Sequence, residues 1–156
     1  MAVGGSVRHA GGRHSLTRMS DRERFTISIE PALSAKLSKL AKRSGASNRS
    51  KFLCDLIRAR LVEEEWEGNQ EALGTITMLY DHHQRTLLNA LADVQHDHHS
   101  HVLCTTHIHL THDLCAEVVM VRGKAQAIRE LADRMQRLKG MLHLAVSMSS
   151  TGKSLT

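Results

Sequence analysis

The chain has 156 residues, of which 41% are hydrophobic and only 3% aromatic, and its formal net charge is +5. This length allows one ordinary domain or two small ones, and the scarcity of aromatic side chains argues against single-strand nucleic-acid binding by base stacking. The sequence contains no apolar run of membrane-spanning length, no signal peptide in its first 20 residues and no paired cysteine spacing. We therefore expect a protein of the reducing cytoplasm that has no membrane contact.

The positive charge is concentrated in the first part of the chain. Residues 1–60 contain 13 Lys and Arg against 4 Asp and Glu, a net of +9, whereas residues 61–156 contain 8 against 12, a net of −4. Such asymmetry indicates that the N-terminal part contacts nucleic acid or another anionic surface. The alternative is an ordinary solvated basic face.

The first segments of the chain predict an arm and a strand. Residues 1–21 combine four glycines with scattered His and Arg and show no apolar period, so we expect a disordered arm. Residues 24–29 alternate polar and apolar side chains, which is the pattern of a half-buried strand. Phe25, Ile27 and Ile29 would then face a core.

Two helices are predicted to follow the strand. Pro31 suits the first turn of the first helix, and Gly45 is a natural residue at its end. Capping residues at 47–50 open the second helix, which is expected to continue through Glu65 into a polar linker at 68–72. One strand and two helices bury too small a core alone, so we expect a dimer that shares the strand.

A second module is predicted from residue 74 onward. Its strands are expected at 75–80, 101–110, 115–121 and 141–147, and its helices at 85–94 and 126–138. This βαββαβ order is that of ferredoxin-like sandwiches. The fold class is therefore α+β, with domains at 22–67 and 74–148 and a polar tail at 149–156 that we expect to fray.

The strand and the two helices after it resemble the ribbon-helix-helix repressors. In that family two chains pair their strands into a shared two-stranded antiparallel ribbon that enters the major groove of DNA. Arg24 can form a bidentate contact with guanine, and Thr26 and Ser28 can bond either base type at shorter reach. An edge strand with three solvent-facing residues is the alternative. The start of the second helix offers backbone N–H groups to a phosphate at Asn48, Arg49 and Ser50.

A cluster of metal-ligating side chains lies in the second module. Seven of the 12 histidines lie between His96 and His112, and Cys115 follows just beyond. Imidazole nitrogen and thiolate sulfur suit nickel, copper and zinc. His107 and His109 are two apart on a predicted strand, so both leave the same sheet face, and Cys115 returns beside them. A fourth ligand must come from elsewhere, and His96 lies near the end of the preceding helix.

Together the two modules resemble the nickel-responsive transcriptional regulators of the NikR family. The motifs that carry the resemblance are QHDHH at 95–99 and THIHLTHDLC at 106–115, and the match covers roughly residues 22–148. The resemblance implies one nickel ion per chain in a planar site, and Glu117 as a carboxylate that orients a ligand histidine. The implied nickel ligands are His107, His109 and Cys115 of one subunit and His96 of a partner.

The same resemblance implies an ACT-like tetramerisation core and a homotetramer that binds double-stranded operator DNA when metal is bound. One departure concerns an additional cation, which a Glu and an Asp on the second DNA-binding helix help to hold in some members. Lys51 and Asp55 occupy those positions here, and a charged lysine cannot ligate a metal. His82 and His83 could line an accessory site or be solvated.

Three other functions compete with a nickel-responsive regulator. A sensor of copper or zinc on the same scaffold would use the same ligand types. An antitoxin-type repressor would share residues 24–62 but would end in a short toxin-binding segment. A zinc hydrolase would need an open coordination position and a carboxylate base, and the sequence places no carboxylate convincingly for that role, so we expect no enzyme.

Overall fold

The N-terminal module consists of an extended segment and two helices. The computed structural model describes residues 23–155, so the predicted arm at 1–21 lies outside the described residues. Helix α1 (Pro31–Arg43) and helix α2 (Arg49–Glu67) confirm both predicted helices. Pro31 begins α1, and the side chain of Asn48 caps α2 by accepting a hydrogen bond from the backbone N–H of Lys51 at 2.8 Å.

The segment predicted as a strand is extended, but within residues 23–155 it pairs with no other strand. Its apolar side chains are exposed, with 69% of Phe25, 48% of Ile27 and 37% of Ile29 accessible. The expectation that these side chains face a core is therefore wrong for a single chain. The segment offers both an apolar face and unpaired backbone groups, which another strand would satisfy.

The second module is an antiparallel sheet with two helices. Its elements are β1 (Glu71–Asp81), α3 (Arg85–Asp97), β2 (Val102–His109), β3 (Leu114–Lys124), α4 (Ala125–Gln136) and β4 (Met141–Ser150). The strands lie in the order β2-β3-β1-β4, and every neighbouring pair is antiparallel. This arrangement confirms the predicted βαββαβ order and the α+β class.

Several element bounds differ from the prediction; for example, α3 and β3 each end three residues later, at Asp97 and Lys124. β1 begins at Glu71 rather than at residue 75, and β4 continues to Ser150 rather than ending at 147. The cause is backbone pairing, because Ala72 lies opposite both Gly123 and Ser150. A ladder of this kind extends over residues whose side chains show no apolar period. The predicted linker is therefore shortened to residues 68–70.

The core lies between one face of the sheet and helices α3 and α4. Trp66, at the end of α2, joins this core and is only 1% exposed. Its ring packs on Gly74 of β1, where an added Cβ would lie 3.1 Å from Trp66 Cζ2. Within residues 23–155 no helix combines the length and apolar composition that crossing a bilayer requires. The largest core side chains of α3 and α4 are Leu87, Leu91, Ile128, Leu131 and Met135.

Replacing Leu131 by alanine tests this core. Leu131 is fully buried, so Leu131→Ala should lower the free energy of unfolding by about 2–5 kcal/mol. The exposed neighbour Glu130 is the control, and Glu130→Ala should change stability by less than about 0.5 kcal/mol. Chemical denaturation of the metal-free protein measures both, and equal effects would contradict the proposed packing.

Candidate metal centre and nucleic-acid surface

The β2–β3 hairpin brings the predicted ligands to one face of the sheet. His109 lies opposite Cys115 and His107 lies opposite Glu117 in the strand register. The Sγ atom of Cys115 is 3.1 Å from Nδ1 of His109, and the rings of His107 and His109 have centroids 4.9 Å apart. An imidazole and a thiol in contact, with a second imidazole beside them, form a donor set that suits a borderline divalent metal.

A third donor beside His109 and Cys115 is His82, which follows the end of β1. Ligand atoms of His82, His109 and Cys115 all lie within 4.8 Å of one another. The Nδ1 atom of His82 is buried and has no hydrogen-bond partner in the described chain. Sequence reasoning left the role of His82 open. It reaches the site because β1 pairs with β3 so that Tyr80 lies opposite Cys115, and local spacing does not reveal that long-range register.

His107 is oriented by a hydrogen-bond network behind it. The hydroxyl of Tyr80 donates to Glu117 Oε2 at 2.5 Å, and the Tyr80 hydroxyl oxygen lies 3.2 Å from Nδ1 of His107. Because its single proton is directed to Glu117, Tyr80 accepts the Nδ1–H of His107. Nε2 of His107 then keeps its lone pair and is free to ligate a metal.

The buried carboxylate of Glu117 links this network to helix α3. Glu117 is 6% exposed, and its Oε1 accepts a hydrogen bond from Gln95 at 2.7 Å. Gln95 in turn accepts from the hydroxyl of Thr105 at 2.9 Å. Burial and the hydrogen bond to Glu117 raise the pKa of Tyr80 above its ordinary value, so its hydroxyl stays a donor at neutral pH.

His96 lies apart from the other three predicted ligands. It is near the end of α3 and lines a cavity of about 470 Å³ together with Tyr80, Gln95 and Glu117. Among residues 23–155, none of the groups of three converging ligand atoms includes His96 or His107. A single chain therefore brings His109, Cys115 and His82 together and leaves His96 at the edge of a neighbouring cavity.

A more exposed group of donors continues from the site towards solvent. Nε2 of His83 lies 3.2 Å and Nδ1 of His112 lies 2.7 Å from the same oxygen of Asp113. The hydrogen bond from His112, followed by the one from His83, lowers the pKa of Asp113. All three side chains are exposed.

The predicted DNA-contacting residues fall into two groups. Arg24 and Thr26 line a cavity of about 570 Å³ together with Arg49 and Ser50 at the start of α2. This cavity brings part of the predicted base-reading set next to part of the predicted phosphate site. The two residues outside the lining are Ser28, which is exposed on the extended segment, and Asn48, whose side chain caps α2.

Comparisons with known proteins agree with both modules. Residues 23–64 match the family described as "Ribbon-helix-helix protein, copG family", and residues 73–149 match "NikR C terminal nickel binding domain". The chain is thus a ribbon-helix-helix protein with a nickel-binding domain.

Relatives that match most of the chain share one description. A protein of Syntrophus aciditrophicus is 42% identical over 135 residues, which are 86% of this chain and 98% of the relative. One from Desulfotalea psychrophila is 42% identical over 133 residues (85% and 98%), and one from Pyrococcus abyssi is 40% identical over 136 (86% and 99%). Each is named "Putative nickel-responsive regulator". The chain belongs to the family of nickel-responsive regulators, which are transcriptional regulators and not enzymes.

The additional cation of some family members does not fit this chain. Nζ of Lys51 lies 2.8 Å and 3.0 Å from the two carboxylate oxygens of Asp55. The hydrogen bond from Lys51 is the main cause that lowers the pKa of Asp55. The ammonium group of Lys51 therefore pairs with the carboxylate that would otherwise contact a metal cation.

The thiol of Cys115 provides a test of the site's electrostatics. Burial, then the negative charges of Asp81 and Glu117, raise its pKa above the ordinary thiol value. Asp81→Asn should therefore lower the pKa of Cys115. The ultraviolet absorbance of the thiolate, recorded against pH on metal-free protein and corrected with a Cys115→Ser variant, measures the change. An unchanged pKa in Asp81→Asn would rule out this charge as a cause.

Proposed function

We propose that this protein is a homotetrameric regulator that binds double-stranded operator DNA more tightly when each chain holds one nickel ion. The ligands would be His107, His109 and Cys115 of one chain together with His96 of the partner subunit. The observation that carries the proposal is the 3.1 Å approach of Cys115 Sγ to His109 Nδ1 on the sheet face that they share with His107.

The chemistry of the donors supports nickel as the metal. When bound, nickel provides a divalent centre that accepts lone pairs from imidazole and thiolate. Cys115 would have to lose its proton on binding, and its raised pKa means that this proton is present at neutral pH. Tyr80 and Glu117 would hold His107 with Nε2 directed to the metal, which is the role proposed for Glu117.

The unpaired surfaces of the chain support an oligomer. On the sheet face that α3 and α4 leave open, Ile108 is 47% and Met120 is 38% exposed. A second copy of the chain is the occupant that we propose for this face, because a second sheet would cover these apolar side chains. The exposed Phe25, Ile27 and Ile29 support strand pairing between two chains in the N-terminal module.

The N-terminal module would make the DNA contacts. In a paired ribbon, Arg24, Thr26 and Ser28 would share one face and contact base edges in the major groove. A phosphate would lie at the start of α2, where the first backbone N–H groups, apart from that of Lys51 capped by Asn48, have no partner within the helix. The residues at that position are Asn48, Arg49 and Ser50.

Coupling between the modules would follow from sharing the metal. A site with ligands from two chains ties those chains together, so the two ribbons are presented to two half-sites at high effective concentration. The metal must bind the DNA-competent arrangement more tightly than the other arrangement. A coupling of about 1–3 kcal/mol per effector is typical.

Nickel titration of the reduced, metal-free protein tests the metal site. We expect a thiolate-to-nickel absorption band that saturates at one nickel per chain and is lost in Cys115→Ala. Cys104→Ala is the matched control and should keep the band, because Cys104 lies opposite Met120 and away from the donors. No band, or an unchanged band in Cys115→Ala, would remove this thiol from the site.

The affinity of the protein for nickel should fall as pH is lowered, because protons compete with the metal for Cys115 and the histidines.

DNA binding is tested with a fragment selected from a random pool by the nickel-loaded protein. Arg24→Ala should weaken binding to the selected sequence by about 1–3 kcal/mol and relax the preference for one base. Arg137→Ala is the control for loss of one positive charge, because Arg137 is 78% exposed in the C-terminal module. The affinity for DNA should also fall steeply as the salt concentration is raised. Equal losses in the two variants would argue against base reading by Arg24.

A further inference from the structure

The C-terminal residues of the chain contact the end of the DNA-binding helix α2. Trp66 is 1% exposed, and its Nε1 donates to the backbone oxygen of Ser149 at 2.9 Å. Arg129 of α4 lies over the same ring, with its Cζ 5.6 Å from the centroid. The last turn of α2 is therefore fastened to β4 and α4 of the C-terminal module, although the start of α2 belongs to the DNA-binding module.

Glu65, in the last turn of α2, is a buried charged residue at the junction of this helix with the sheet. It is an acidic side chain with only 4% exposure, and within residues 23–155 its Oε2 atom is buried without a hydrogen-bond partner. Its other oxygen accepts hydrogen bonds from the hydroxyl of Ser150, at 2.9 Å, and from the hydroxyl of Ser154. A buried carboxylate is unfavourable unless such donors are present, so α2 and these serines stabilise each other.

A turn and an ion pair hold the serines in position. The backbone N–H of Gly152 donates to Ser150 Oγ at 2.9 Å, and Gly152 has a φ of +86°, which favours glycine. Lys153 lies 2.6 Å from Glu71 at the start of β1, and Arg122 of β3 lies 2.9 Å from the same carboxylate. The tail that was expected to fray is thus bonded to three residues, Glu65, Trp66 and Glu71.

We propose that residues 149–154 form a C-terminal clasp that fixes the end of α2 on the sheet, with Glu65 as its positioning residue. Only residues 68–70 join α2 to β1 along the chain, and the clasp adds the hydrogen bonds of Glu65 and Trp66 to the packing of the Trp66 ring. The clasp makes α2 a rigid extension of the metal-binding module and so transmits the metal-dependent arrangement to the DNA-binding surface. This inference rests on the proposed nickel-dependent binding of DNA.

The test compares DNA affinity with and without nickel in full-length variants. For each variant the dissociation constant for the selected DNA fragment is measured with nickel and with a chelator, and the ratio of the two is the readout. Glu65→Ala should reduce this ratio by about tenfold or more, since a buried contact to a charged group is lost. Glu65→Gln keeps an acceptor oxygen and should retain most of the ratio. Glu64→Ala is the matched control, because Glu64 is exposed and its side chain pairs with the exposed Arg60 of the same helix.

A second pair of variants covers the case in which Glu65→Ala does not fold. Ser154→Ala removes one donor to Glu65 and should reduce the ratio, whereas Thr151→Ala lies in the same segment and should not. The nickel absorption band should be unchanged in all five variants, because the clasp is remote from the metal ligands.

The outcomes separate the clasp from the proposed function. A wild-type ratio well above one that is unchanged in Ser154→Ala and Glu65→Ala would overturn the clasp, and a lowered melting temperature alone would assign these contacts a purely structural role. A wild-type ratio of one would reject the proposed function itself, and there would then be no signal for the clasp to transmit.

Discussion

The antiparallel pairing of β3 with both of its neighbours is the constraint on which the candidate metal centre depends. It places Cys115 opposite Tyr80 on one side and opposite His109 on the other. Because side chains alternate along a strand, a slip of one residue would turn Cys115 away from both histidine-bearing segments. The apolar residues of β3 prevent that slip, since Val119 and Val121 are fully buried on the same face as the thiol. Core packing and metal chemistry are therefore specified by one register.

Both modules are incomplete in a single chain, and they are incomplete in complementary ways. The extended segment at 23–30 has an apolar face without a core, the sheet has an open apolar face, and His96 lies apart from Cys115. A shared ribbon would complete the first and an association of sheets the second. The complete metal site would then form only when the chains associate, because its donors would belong to different chains. A regulator built in this way needs no large change within a chain to respond to metal.

Local patterns were sufficient to predict much of this structure. Strand patterns on either side of a short turn predicted the hairpin, and the two-residue spacing of His107 and His109 on it predicted that both leave one sheet face beside Cys115. Apolar periods predicted the helices. The role of His82 was not predictable, because it depends on the pairing of strands distant in sequence. The contacts of Glu65 were not predictable for a similar reason. An acidic run at the end of a helix is typical of solvated surface. Glu65 is buried only because residues 149–154, which are distant in sequence, pack against it.

The central claim is that each nickel site combines ligands from two chains, and mixed tetramers test it most directly. His96→Ala and Cys115→Ala each remove one ligand from every site of a pure tetramer, so neither variant alone should bind nickel with high affinity. After the two are refolded together, sites that take Cys115 from one chain and His96 from the other should regain the thiolate-to-nickel band. If mixing restores no band, and His82→Ala alone abolishes the band of the wild-type protein, the ligands come from one chain and the account is wrong.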